Sequence, residues 1–184
     1  MQEQGQTTFF LAGAIAALAA IGGCAGQAAP EPRSYDLGLD APAAHLALRI
    51  GTVRAAAPFD SSDMVYRLAY RNAAEVGVYA NSRWAATPSE MLKRQLQRAA
   101  DGGGKCTLDV EIQEFSQVFA AAKTSEARIE VQARLTPDGA QQRFAITEAG
   151  AGPDAPSGAA AMARATDRLV ADLGGWAASQ PACR

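Results

Sequence analysis

The strictest constraint in the sequence is the alternation of apolar and polar residues over positions 127–135. Alanine, isoleucine, valine and leucine fill the odd positions, and arginine, glutamate and glutamine fill the even ones. Because successive side chains of a β-strand point to opposite faces of the sheet, this period of two predicts a half-buried strand. The chain therefore needs a sheet with one apolar and one polar face.

The segments on either side extend this strand into a three-strand meander. Residues 106–112 alternate in the same way, and the alternation shifts at Phe115 and Phe119, which indicates a β-bulge or the exit of the strand from the sheet. Residues 136–139 (Thr-Pro-Asp-Gly) predict a turn, because proline presets φ and glycine accepts the left-handed region. Residues 144–146 then continue as the return strand.

The first half of the folded region predicts three shorter strands. Residues 45–59 read as a strand with a bulge at Gly51, and residues 64–70 alternate with tyrosines on one face. Residues 76–80 form a third strand, with residues 71–75 as the connection of a hairpin.

Two amphipathic helices follow from capping signals. Thr87-Pro88-Ser89-Glu90 combines a capping box with proline at the first helical position, and residues 91–99 carry one apolar face. Ser157 is predicted to cap a second helix of about 20 residues. The apolar stripe of this second helix comprises Met162, Ala165, Leu169, Leu173 and Trp176.

The predicted order is therefore β-β-β-α-β-β-β-α. A chain of 184 residues suits one domain. We expect a single-domain α/β fold, with a mixed or mostly antiparallel sheet of about six strands and two amphipathic helices.

An uncharged apolar run at residues 9–21 precedes this domain. As a helix it would span roughly 20 Å, which is shorter than the hydrocarbon core of a membrane. The run ends at Gly-Gly-Cys24, so we predict a lipoprotein signal peptide at residues 1–23 and acylation of Cys24. An ordinary signal peptide with an incidental cysteine, or a buried core helix, is the alternative. The region before the run lacks lysine and arginine and carries Glu3, unlike a typical signal peptide.

Residues 24–42 are rich in proline, alanine and polar residues, and we interpret them as the lipid anchor and a flexible tether. The alternative for part of this segment is that Tyr35 and Leu37 pair with a sheet edge. The folded domain is then expected at residues 43–184.

The composition argues against catalysis, metal binding and nucleic-acid binding. The chain has one histidine, His45, no second histidine or cysteine placed to complete a ligand set, and no nucleophile elbow. We therefore expect no catalytic residues, no metal and no cofactor, and the protein is not predicted to be an enzyme. A formal net charge of −2 is unlike that of a general nucleic-acid binder.

Two cysteines remain after Cys24 is assigned to the lipid. In an exported domain, which folds in an oxidising compartment, a disulfide between Cys106 and Cys183 is expected. The alternative is two free thiols, because the sequence does not show that their Cα atoms approach each other.

Tyrosine, tryptophan and arginine are concentrated between residues 66 and 84. These residue types are enriched at the energetic centres of interfaces. The segment is therefore either an interaction surface or a part of the core, and the residues alone leave both readings open.

Several segments resemble one family. Residues 57–67, 79–84, 87–92 and 114–119, in this order and with the second helix ending at Trp176, are similar to the ABC-type transport auxiliary lipoproteins, which include the paraquat-inducible protein C type. The resemblance covers residues 35–178. It implies a non-catalytic, periplasm-facing accessory component of a lipid transport system.

The resemblance also implies partners, namely an ABC ATPase, a permease and an MCE-domain protein. Attachment to the outer membrane is expected because Ala25, not aspartate, follows Cys24. A lipid ligand and a homo-oligomer are left open, and a stand-alone lipid-binding or envelope-integrity lipoprotein is the alternative function. The residues predicted to contact a partner or lipid are Tyr66, Arg67, Tyr70, Tyr79, Trp84, Phe115 and Phe119.

Overall fold

Seven strands form one mixed sheet in the computed structural model, which describes residues 31–137 and 139–184. The strands are β1 (Arg33–Tyr35), β2 (Arg49–Ala55), β3 (Asp63–Arg67), β4 (Gly77–Trp84), β5 (Thr107–Ala121), β6 (Thr124–Thr136) and β7 (Gln141–Ala151). Their order across the sheet is β1-β4-β3-β5-β6-β7, and β2 also pairs with β5.

Within these described ranges, three α-helices accompany the sheet: α1 (Ala69–Asn72), α2 (Pro88–Ala99) and α3 (Ala155–Ser179). A 3₁₀ turn, Pro181–Cys183, follows α3. The predicted α/β class is confirmed, and the mixed sheet was one of the two predicted arrangements. The structure differs from the prediction by one additional strand, β1, and by the short helix α1.

The predicted meander of β5, β6 and β7 is antiparallel throughout. The odd positions of residues 127–135 are fully buried, as the alternation requires. The register of β5 shifts between Ile112 and Glu114, where the apolar pattern changes phase. A bulge therefore explains the phase change, and β5 continues in the sheet to Ala121.

Two strands share the other edge of β5. Strand β2 pairs in parallel with residues 107–112, and β3 pairs in parallel with residues 116–118. The bulge expected at Gly51 lies in the register shift between Ile50 and Val53. Glycine suits this position, because a Cβ would lie 2.4 Å from the Asp109 carboxylate, which accepts a hydrogen bond from the Thr52 N–H at 2.7 Å.

The capping box of α2 is present as predicted. The Glu90 N–H donates to the Thr87 hydroxyl at 3.3 Å, and the Thr87 N–H donates to the Glu90 carboxylate at 3.0 Å. The α2 residues predicted to face the core are all buried.

The predicted N-cap of α3 was wrong. Asp154 caps the helix, and the Ser157 N–H donates to the Asp154 carboxylate at 3.0 Å. Helical geometry starts at Ala155, so Ser157 supplies one of the unpaired N–H groups of the first turn. The predicted stripe is otherwise confirmed, since four of its five residues are buried and Trp176 is half-buried.

The strand predicted to end at Tyr70 ends at Arg67. The Leu68 carbonyl accepts hydrogen bonds from the N–H groups of Arg71 and Asn72, which closes a helical turn. Tyr70 therefore lies on α1 and not beside Tyr66 on a strand.

The N-terminal described residues form a segment that we call the strap, Arg33–Gly38. Within it, β1 pairs in parallel with Ser82–Trp84 at the edge of the sheet. Leu37 is buried, and the Arg98 guanidinium donates to the Gly38 carbonyl at 3.2 Å. The alternative considered for Tyr35 and Leu37 is thus the one observed, and this part of the predicted tether is attached to the sheet and to α2.

Cys106 and Cys183 form a disulfide with their Cα atoms 5.0 Å apart. The bond joins the 3₁₀ turn after α3 to the residue just before β5. The predicted signal peptide, residues 1–23, and the predicted acylation site, Cys24, lie outside the described residues.

Candidate functional site

Three of the predicted contact residues meet in a surface groove of about 400 Å³. The groove lies where β3, β4 and the end of β5 approach the segment that leads into α3. We call it the aromatic groove, and its lining residues are Tyr66, Leu68, Val78, Tyr79, Ala80, Phe119, Ala122 and Pro153.

The rings of the aromatic groove pack edge-on rather than face to face. The Tyr66 and Tyr79 ring centres are 5.0 Å apart with a tilt of 58°, and Tyr66 meets Phe119 at 6.2 Å and 82°. Such tilted pairs are favourable because the ring edges are positive and the faces negative. Gly77 makes room for the cluster, since a Cβ there would lie 2.5 Å from the Tyr66 ring.

A buried polar network supports the aromatic groove from below. The Tyr79 hydroxyl donates to the Gln117 side-chain oxygen at 2.8 Å, and the Gln117 amide donates to the Ser125 hydroxyl at 2.7 Å and to the Gly152 carbonyl at 2.8 Å. Burial, with smaller contributions from Asp154 and Tyr66, raises the pKa of Tyr79 to about 12. Tyr79 is therefore a neutral, oriented hydroxyl at neutral pH.

These features suit binding. The groove offers mostly apolar walls and the fixed hydroxyl of Tyr79, a combination typical of sites that hold apolar ligands or side chains with a defined orientation. Among residues 31–137 and 139–184, no cluster of three or more histidine, cysteine or acidic side chains could hold a metal ion.

Arg67 is held in an ion pair. Its guanidinium donates two hydrogen bonds to the Glu114 carboxylate, at 3.1 and 3.0 Å. The two side chains are only 21% and 15% exposed, so the pair is partly shielded from water. Its geometry joins β3 to β5, which makes Arg67 a structural link whether or not it also contacts a partner.

Trp84 and Phe115 belong to the core, so the prediction that they contact a partner or lipid does not fit their burial. Their rings meet at 5.5 Å, and the residues are 3% and 1% exposed. Tyr70 is 46% exposed but lies on α1, outside the lining of the aromatic groove.

The structure adds two exposed residues that the sequence reasoning missed. Val76 and Val78 are 41% and 52% exposed, and with Tyr70 they are three of the four large hydrophobic residues exposed in the described part of the chain. We call Tyr70, Val76 and Val78 the hairpin patch. A signal was present, because no charged residue occurs between Val76 and Ser82.

The polar face of the sheet carries paired charges. Glu130, 9% exposed, accepts hydrogen bonds from Arg128 and Arg143, and these bonds lower its carboxyl pKa. Glu111 pairs with Arg54 beside a polar pocket of about 260 Å³. On this face, three arginines thus form ion pairs with two glutamates.

A sequence model of the ABC-type transport auxiliary lipoprotein component matches residues 37–174. The chain belongs to this family. The match starts within the strap and ends near the C-terminus of α3, so it includes every strand from β2 to β7 and both long helices.

Solved structures share the fold of this chain. A crystal structure of a Xanthomonas campestris protein assigned to the family DUF330 is 23% identical with a TM-score of 0.62, covering 81% of this chain and 92% of the other. A crystal structure of an uncharacterised protein is 12% identical with a TM-score of 0.63, covering 80% and 99%. A comparison with curated protein sequences gives no match.

None of the helices in the described ranges is both long and apolar enough to cross a membrane.

Proposed function

We propose that this auxiliary lipoprotein is a non-catalytic accessory component of a transport system that moves lipid, with phospholipid as the expected cargo, across the bacterial envelope. In this proposal Cys24 is acylated, the domain faces the periplasm from the outer membrane, and the partners are an MCE-domain protein, a permease and an ATPase. The observation that carries the proposal is the family match over residues 37–174, which spans nearly all of the folded domain.

The aromatic groove is the surface that we assign to the contact with the MCE-domain protein or the transported lipid. Tyr66 and Tyr79 are half-buried, so each contributes both to packing and to the exposed wall. Side chains of this kind provide large contact areas with little loss of conformational entropy. The oriented Tyr79 hydroxyl supplies a polar contact within mostly apolar walls.

Affinity purification tests this role. The tagged full-length protein is extracted from its native host in mild detergent, and co-purifying proteins and lipids are quantified by mass spectrometry. We expect the permease, the ATPase and the MCE-domain protein together. Tyr66→Ala should lower their recovery, while Tyr35→Ala, a matched change of a half-buried tyrosine in the strap, should leave it unchanged.

The outcomes separate the two functions considered. Recovery of bound lipid without any of the three proteins would support the stand-alone lipid-binding role instead. Equal recovery from Tyr66→Ala and the unaltered protein, with the same melting temperature, would remove the aromatic groove from the proposal. The anchor is tested by the mass of the N-terminal peptide and by separation of inner and outer membranes.

A further inference from the structure

The hairpin patch is exposed, and its two valines lie beside and within the strand that pairs with the strap. Val76 immediately precedes β4, Val78 is the second residue of β4, and β1 pairs with Ser82–Trp84 further along the same strand. The distance along β4 from Val78 to Ser82 is about 13 Å at the usual rise per residue. The patch therefore lies close to the point where the chain enters the fold.

The strap shortens the connection between this point and Cys24. Nine residue steps separate Cys24 from Arg33, the first residue of β1. At 3.3–3.6 Å per residue, a fully extended chain of this length spans at most about 30 Å. A tether that stayed free up to Pro42 would have reached about 60 Å. If Cys24 carries lipid, Arg33 at the start of β1 thus lies within about 30 Å of the bilayer surface.

The residues around the patch fit a lipid surface better than bulk water. Tyrosine is enriched where hydrocarbon meets headgroups, because its ring is apolar and its hydroxyl polar. Between Tyr70 and Arg83 the charged residues are Arg71, Glu75 and Arg83, all exposed, so the segment carries a net charge of +1. Arginine side chains can extend from such a position to lipid phosphates.

We propose that the hairpin patch is a second membrane contact, which inserts at the headgroup level of the leaflet that holds the lipid on Cys24. This inference rests on the acylation of Cys24 in the proposed function. A single attachment through the acyl chains leaves the domain free to rotate, whereas the acyl chains and the patch together fix its orientation to the membrane. Val78 belongs both to the hairpin patch and to the lining of the aromatic groove. In this orientation the opening of the groove therefore faces the bilayer.

Quenching by brominated lipid tests the contact. The full-length acylated protein carrying Val78→Trp is reconstituted in vesicles of phosphatidylethanolamine and phosphatidylglycerol, with or without dibrominated acyl chains. The emission of Trp84 and Trp176 in the parent protein is subtracted. Gln141→Trp is the matched control, because Gln141 is exposed on β7, at the opposite edge of the sheet.

We expect the emission of the tryptophan at position 78 to be lost in brominated vesicles, and that of the tryptophan at position 141 to be retained. Insertion of a 20-residue glycine-serine segment between Pro30 and Glu31 should restore the emission at position 78. A longer tether lowers the effective concentration of the hairpin patch at the membrane surface, so the patch is bound for less of the time. Unquenched emission at position 78 in acylated protein would overturn the membrane contact and leave the proposed function standing. A mass spectrum showing unmodified Cys24 would instead refute both.

Discussion

Removal of the disulfide between Cys106 and Cys183 should destabilise the domain strongly. The bond closes a loop with a sequence separation of 77 residues. In the chain-entropy model, a cross-link of this span lowers the conformational entropy of the unfolded chain. This raises the free energy of unfolding by about 4 kcal/mol at 25 °C. For a domain of this size, that loss corresponds to a fall in melting temperature of roughly 8–16 °C.

Urea unfolding measures this difference. The Cys24→Ser protein is used, so that only two cysteines can pair, and it is refolded either with or without dithiothreitol. Comparing the oxidised and reduced forms of one sequence keeps both sulfur atoms in place and avoids the cavity that an alanine would leave at the fully buried Cys106. With an m value near 2 kcal/mol/M, we expect the midpoint to fall by about 2 M urea.

The result also tests the assumption that the bond acts on the unfolded chain. Equal midpoints for the oxidised and reduced forms would refute this assumption. They would mean that the reduced chain, which must close the loop on folding, pays no additional entropy for doing so. A fall in midpoint caused mainly by a changed m value would point to a different extent of unfolding and would also contradict the argument.

Three further substitutions, and a fourth as a control, test contacts in the fold. Glu130→Gln should lower the melting temperature at pH 7 and have a smaller effect at pH 3. The pKa of the Glu130 carboxyl is lower in the folded than in the unfolded protein, so its ionised form stabilises the fold above the unfolded pKa. This contribution is lost as the pH falls through the folded pKa. Thr87→Ala should cost about 1 kcal/mol in urea unfolding by removing the capping box, and an unchanged midpoint would contradict that role. Gly158→Ala should cost about 1–3 kcal/mol, because its Cβ would lie 2.1 Å from the Gln117 side-chain oxygen. Gly175→Ala, in the same helix with open space around it, should instead be neutral or stabilising by thermal unfolding.

The parts of the fold that depend on local periodicity were predictable. The alternation at residues 127–135 and the capping box at Thr87 both express short-range rules, and the structure confirms each. Strand β1 was less visible, because three residues followed by a buried leucine provide too short a pattern for a period of two. Its pairing with β4 depends on residues almost 50 positions away.

The candidate site was only partly predictable, because a register shift controls which rings reach the surface. Tyr79 and Trp84 are five residues apart, so a regular strand would place them on opposite faces. The pairing of β4 with β3 shifts between Val65 and Asp63, and both rings contact the same face of β5, at Gln117 and Phe115. The neighbouring β-strand, not the alternation, therefore decides that Trp84 is buried and Tyr79 borders the groove.

One edge of β5 pairs with two different strands, β2 and β3, so the sheet has a break between them along this edge. Residues 107–112 support β2 near the disulfide, and residues 116–118 support β3, which leads through β4 to the strap. The bulge between Ile112 and Glu114 falls where one neighbour ends and the other begins. Helix α2 connects the two sides of this break, because Arg98 donates to the Gly38 carbonyl of the strap and the Ala99 carbonyl accepts from the Leu46 N–H that precedes β2. A pull on the strap is therefore transmitted to the disulfide-linked side through α2 as well as through β5.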